Sequence, residues 1–237
     1  MSLLTVVQNV CREVGLTVPS VAYASTNRQT LQIVQLATRA GQRLAKKDWT
    51  VLQKEYTFST VASTASYALP SDYDRMIINT AWDRTSYWKL RGQLSPREWQ
   101  VKKSALIAST TLRSNFRVKP DTRVNKFYID PTPSAVESMV YEYISNAWVK
   151  NAANDDAFAK YTADDDVAII PEELIELEVI WRLLNRKGFA YTEEKDEAER
   201  AIAEMFAQDR AVPVLNFGAP QQALAERLNL PEGGFGS

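Results

Sequence analysis

The spacing of apolar residues changes period twice along this chain of 237 residues, and that double change limits the fold more than any single motif does. Residues 3 to 44 and 171 to 206 repeat at three and four positions, the spacing of a helix face. Between them, from about residue 53 to 149, apolar and polar residues alternate, the spacing of a half-buried strand. Two helices at either end cannot bury their apolar faces alone, so the economical fold is one bundle made from both ends of the chain. The expected class is therefore α+β. Residues 1–52 and 150–211 form a helical bundle, residues 53–149 an inserted small antiparallel β-sheet or barrel, and residues 212–237 an extended C-terminal arm.

Local signals place the elements. Leu3, Val7, Val10 and Val14 share a face, and Gly15 stands where a helix ends. A second helix starts at Thr26 or Asn27, either of which can cap it, and carries Leu31, Val34, Ala37, Gly41 and Leu44. Trp49 follows as a lid on the core. In the middle, KEYTFSTVA, SYALP, DRMIINTAW and SYWKL read as the strands of an antiparallel meander. The segment LSPREWQVKKSAL breaks in as one short helix, capped by Ser95 with Pro96 at its first position. NFRVKP, KFYIDPTP and SMVYEYISNAW are three more strand-like runs. After a polar, acidic loop, Pro171 opens a helix with the stripe Leu174, Leu177, Trp181 and Leu184, ended by Gly188. A last, highly charged helix from Thr192 has the thin apolar set Ala198, Ile202, Met205 and Phe206, which puts it on the outside.

The corner YALPSDYDR, residues 67 to 75, is unusually well specified. Pro70 ends a strand, Ser71 and Asp72 can bond the local backbone, and Tyr73 packs back on the sheet.

Composition prunes the chemistry. The chain has no histidine, which removes serine–histidine and cysteine–histidine nucleophiles and histidine metal sites. Its single thiol, Cys11, lies among Leu4, Val7, Val10 and Val14 and reads as a packing residue. No catalytic, cofactor or metal residue is assigned. The formal net charge of −1 gives no general affinity for nucleic acid, and charges interrupt each apolar run well before membrane-spanning length, so no membrane partner is expected.

The order of helix pair, Trp49, YALPSDYDR, the SPREW helix, FYIDPTP, VYEYISNAW and PEELIELEVIWRLLNRKG resembles bacteriophage head-to-tail adaptors, also called connector or tail tubular proteins. The resemblance covers roughly residues 1 to 210 and rests on structural motifs. It implies a structural neck protein of the virion, assembled in the host cytoplasm. It implies subunits that form a ring, usually of twelve, which would dock on the portal protein ring, extend the channel for double-stranded DNA and give a downstream tail or nozzle protein its attachment surface. It also implies that the arm reaches along the portal or a neighbouring subunit.

Residues can be weighed against that picture. Val212, Val214, Leu215, Phe217, Leu228, Leu230 and Phe235 recur through the arm as spaced apolar anchors, and its prolines lower the cost of extension. Lys102, Lys103, Arg113, Arg117, Lys119, Arg123 and Lys126 cluster in sequence as a candidate DNA surface, though alternating strands would split them between faces. Asp155, Asp156, Asp164, Asp165 and Asp166 lack calcium-loop spacing and read as a solvated acidic loop. Two rival functions stay open. A peptidoglycan-hydrolysing virion protein would use two of Glu98, Glu137, Glu142, Glu172 and Glu173; a phage-unrelated binding scaffold would keep the fold alone.

Overall fold

The structure is a computed structural model that describes residues 2–104, 114–153 and 157–209. The class is α+β, with five α-helices and antiparallel sheets among the described residues.

Helix α1 (Leu3–Glu13) begins at Ser2, whose Oγ accepts from the Thr5 amide. Its first two amides find carbonyls far away in sequence, Leu3 N–H donating to Asp166 O at 2.8 Å and Leu4 N–H to Asp164 O at 3.0 Å. These are donors that a helix cannot satisfy itself. Helix α2 (Arg28–Leu44) is capped by Asn27, which accepts from the Gln29 amide at 2.9 Å. Trp49 closes its other end, the buried indole N–H donating to the Leu44 carbonyl at 2.9 Å. Val34, Ala37, Gly41 and Leu44 are buried as expected, but Leu31 is 41 % exposed and Ile33, Leu36 and Ala40 complete the face.

Helix α4 (Glu172–Lys187) packs against α1, α2 and α5 (Thr192–Asp209). A helix covered on three sides buries more than a narrow stripe. Leu174, Ile175, Val179, Ile180 and Leu183 are buried, whereas the expected Leu177, Trp181 and Leu184 are only half-buried. Gly188 ends α4 in the left-handed region, at φ 78°. On α5 the expected set holds, with Ala198 and Ile202 buried and Met205 and Phe206 packed against the core. One hydrophobic core thus draws on both ends of the chain; Cys11 is buried in it, and burial pushes its thiol pKa up.

The sheets differ from a meander. Strand β1 (Gln53–Ser59) pairs along its length with β8 (Ser138–Ser145), more than seventy residues away. The far side of β8 takes β3 (Tyr73–Met76) and β4 (Trp82–Asp83), and β5 (Trp88–Lys89) follows β4. Strand β2 (Ser66–Ala68) leaves for a second sheet, in the order β2, β7 (Val124–Asp130), β6 (Asn115–Asp121). The physical reason is the burial of β8: Met139 to Tyr141 and Tyr143 to Ser145 are all buried, so this strand needs partners on both edges. Phe127 joins the two sheets, stacked on Phe116 at 5.0 Å and on Tyr141 at 5.3 Å between ring centroids. Helix α3 (Pro96–Ser104) is the short inserted helix.

The acidic loop is also corrected. Strands β10 (Ala157–Phe158) and β11 (Val167–Ala168) flank β9 (Val149–Lys150) in a third small sheet. Just before β9, the buried Trp148 lies against Gly41 of α2, donates to the Ala159 carbonyl at 2.9 Å and meets Tyr161 edge-on.

Candidate assembly surfaces and the joint between helices and sheets

The corner YALPSDYDR is a joint. Its backbone turn closes by Tyr73 N–H donating to Pro70 O at 3.1 Å. The Asp72 carboxylate does not hold the turn as expected; it reaches across to three groups on two strands. Lys54 donates to it at 2.7 Å, Ser145 at 2.7 Å and Tyr143 at 2.9 Å, while the Asn146 amide donates to the Asp72 carbonyl. Burial alone would raise this carboxyl's pKa, but the bonds from Lys54, Ser145 and Tyr143 outweigh it and hold the pKa below the ordinary range. Tyr73 stacks on Tyr143 at 5.8 Å, as the sequence suggested. Arg75 then crosses to the helices: its guanidinium donates to Asp48 Oδ1 at 2.5 Å and to the Lys46 carbonyl at 3.0 Å, and it also pairs with Asp74. One nine-residue corner therefore ties β1, β8 and the end of α2 together.

The four lysines of the basic cluster have partners within the structure, while Arg117 is half-buried and Arg123 exposed. Lys102 and Lys103 converge on Asp130, at 3.1 Å and 2.5 Å, and pin α3 to the FYIDPTP corner. Burial opposes the Asp130 charge, yet the two ammonium groups hold its pKa below the usual carboxylate range. Lys126 pairs with Asp121 at 2.6 Å, and Lys119 lies over the Tyr128 ring. Arg113 lies outside the described residues.

Among the acidic residues, Asp164 and Asp166 are structural, Asp164 half-buried and Asp166 buried, while Asp165 is exposed as expected. Asp164 accepts from the Ala22 and Tyr23 amides, and the buried Asp166 from Thr162 and Ala163. Asp155 and Asp156 lie outside the described residues. Among the described residues no group of three or more His, Cys, Asp or Glu is placed to hold a metal ion, and no helix is long and apolar enough to cross a membrane.

The carboxylates considered for hydrolysis are dispersed. Glu98 and Ser95 form a reciprocal capping box on α3, with Ser95 N–H donating to Glu98 at 2.8 Å. Glu172 and Glu173 occupy the first turn of α4. Glu137 lies near Asp83, and its pKa is raised first by burial and then by that neighbour. Glu142 faces Glu55 across β1 and β8 in a groove of about 420 Å³ lined also by Trp82 and Tyr87; Glu55 is paired with Arg84 at 2.8 Å.

The arm anchors Val212, Val214, Leu215, Phe217, Leu228, Leu230 and Phe235 lie outside the described residues. Asp209, the last described residue, is held at Thr50, whose amide and hydroxyl donate to its carboxylate at 2.7 and 2.5 Å. The last described residue thus lies beside the start of β1.

Two features escaped the sequence reading. Glu178 is 1 % exposed between α2 and α4, bonded to Arg182 at 2.6 Å and facing Arg43 at 3.5 Å. Its signal was the four-residue spacing to Arg182, which every surface pair shares. The other is a basic stripe on α2. Arg28, Gln35, Arg39, Gln42 and Lys46 are exposed at helical spacing with Gln32 between them, and the sequence has no acidic residue from 28 to 47. That spacing was legible.

Compared with known families, the sequence model of a family described as SU10 adaptor protein matches residues 1–225. The match spans the helical core and the sheets and ends within the expected arm, beyond Phe217 and before Leu228. No curated protein matches the chain.

Proposed function

Because the chain belongs to the SU10 adaptor protein family, whose members are structural phage adaptors, we propose that it is a neck protein: a ring-forming head-to-tail adaptor that docks on the portal, prolongs the DNA channel and presents an attachment surface to tail components. The observation that carries this reading is a family match across almost the whole chain, 225 of 237 residues. A part covered that completely is matched as a unit.

The geometry supports a mechanical role. An adaptor must transmit load between its portal side and its tail side without bending at the junction. The corner supplies charge-assisted bonds there, part-buried at Asp72 and exposed at Arg75. A conduit must also let DNA slide. With Lys102, Lys103 and Lys126 each paired to a carboxylate and Lys119 lying over a ring, part of the basic cluster is already partnered within the subunit, which weakens its grip on phosphate. In this reading residues 1–52 and 150–211 form the ring's helical body and 53–149 its tail-facing insert. The arm from 212, through Val212, Val214, Leu215, Phe217, Leu228, Leu230 and Phe235, grips the portal or a neighbour.

Electron microscopy of portal rings mixed with the purified chain tests the reading. It expects an added collar, and a chain truncated after Ala211 that stays folded but no longer docks. Absence of a collar at every salt concentration refutes the adaptor role, and undiminished docking of the truncated chain refutes the role of the arm. Lysis of purified peptidoglycan, lost on Glu142→Gln, would instead make the protein an enzyme.

A further inference from the structure

Two helices that pack on α4 carry opposite charge on their outer faces. Along α2, Arg28, Arg39 and Lys46 are exposed on one stripe. Arg186 at the end of α4 joins Arg28 and Arg39 around a groove of about 410 Å³ whose remaining lining is Leu31, Gln32, Gln35 and Leu36. No carboxylate among the described residues pairs with Arg28, Arg39 or Arg186. Helix α5 is the counterpart. It has seven carboxylates against Lys195 and Arg200, and Glu193, Glu197 and Glu204 are exposed without a cation beside them among the described residues.

The two surfaces also match in length. The α2 helix has 17 residues and α5 has 18, so each extends about 25 to 27 Å at roughly 1.5 Å per residue. Two different, complementary faces on one molecule suit a head-to-tail contact between identical copies, in which the basic face of each meets the acidic face of the next.

The geometry points to a copy–copy interface in which the acidic face of α5 on one subunit lies against the basic, Leu31-floored groove of α2 and α4 on the next. It deepens the ring reading above and relies on it only in requiring neighbouring copies. The exposure of Leu31, the one apolar residue of the expected α2 face left outside the core, is accounted for by cover from a neighbour.

Charge exchange on the full chain tests this. One variant carries R28E, R39E and R186E; a second carries E193K, E197K and E204K; a third carries all six. Every substituted side chain is exposed, so each variant should melt like the parent. Sedimentation of concentrated protein at low and high salt reads self-association. The expectation is association that weakens with salt, falls on the order of tenfold or more in either three-fold variant, and returns both in the six-fold variant and on mixing the two three-fold variants. Unchanged association in the three-fold variants, or no recovery on recombining the charges, overturns the interface. So does a parent chain that shows no self-association at any concentration or salt. A short DNA duplex bound by the parent and lost with R28E/R39E/R186E, while association is unaffected, would assign the groove to phosphate instead. Portal docking, scored separately by microscopy, decides the adaptor role whichever way the interface falls.

Discussion

Replacing Gly41 by alanine should destabilise the protein although alanine is the better helix former. A Cβ built on Gly41 would stand 2.5 Å from Cζ2 of Trp148 and nearer still to Cη2 and Cζ3. An ordinary carbon–carbon contact is roughly 3.5 to 4 Å, so the ring would have to move by more than about 1 Å. It has little room: Trp148 is 1 % exposed, its N–H is committed to the Ala159 carbonyl at 2.9 Å, and Tyr161 meets it edge-on at 5.0 Å. Overpacking of this kind costs about 1 to 3 kcal/mol and a strained indole bond about 1 kcal/mol more, against a gain of about 1 kcal/mol in helix propensity. The net expectation is a loss of about 2 kcal/mol, or a Tm lower by roughly 4 to 8 °C for a chain of this size. Urea and thermal unfolding of Gly41→Ala measure it. The mechanism is isolated by a double-mutant cycle with Trp148→Leu, in which the Gly41→Ala penalty should vanish or turn into a gain. A Gly41→Ala chain as stable as the parent, or a penalty that persists without the indole, would refute the steric account.

The buried pair makes a second, asymmetric prediction. Arg182→Ala should cost about 3 kcal/mol because it leaves Glu178 buried with only the longer contact to Arg43, whereas Glu178→Met should be nearly neutral, its two arginines being able to reach water. Chemical denaturation of both variants separates the cases. Stability should also depend on acid. Asp72 and Asp130 have carboxyl pKa values held below their unfolded values, so their contribution is full above about pH 4 and is lost as the pH falls through the depressed folded values. Asp72→Asn should flatten that part of the stability profile measured between pH 2 and 6. Lys103→Ala should loosen α3 from the FYIDPTP corner, read as faster hydrogen exchange in residues 96 to 104 with little change in α2 or α4.

The helices and the longer strands were legible from local residues. The caps at Asn27 and Ser95 and the stop at Gly188 are local physics, and each stands in the structure where the residues put it. What tertiary structure decided is who meets whom. Strand alternation cannot say that β1 pairs with β8 and not with its neighbour in sequence, because pairing is chosen by how deeply each strand is buried. A helical stripe gives a face but not its width; α4 took three partners and buried Glu178 with its leucines. Polar residues were misread for the same reason. Asp72, Asp164 and Asp166 look like turn and loop residues in one dimension. Asp72 and Asp164 became fixed once folding brought Lys54, Ser145 and the amides of Ala22 and Tyr23 within hydrogen-bonding reach, while Asp166 closes its own loop onto Thr162 and Ala163 and is then buried, where removal from water makes a carboxylate select its partners.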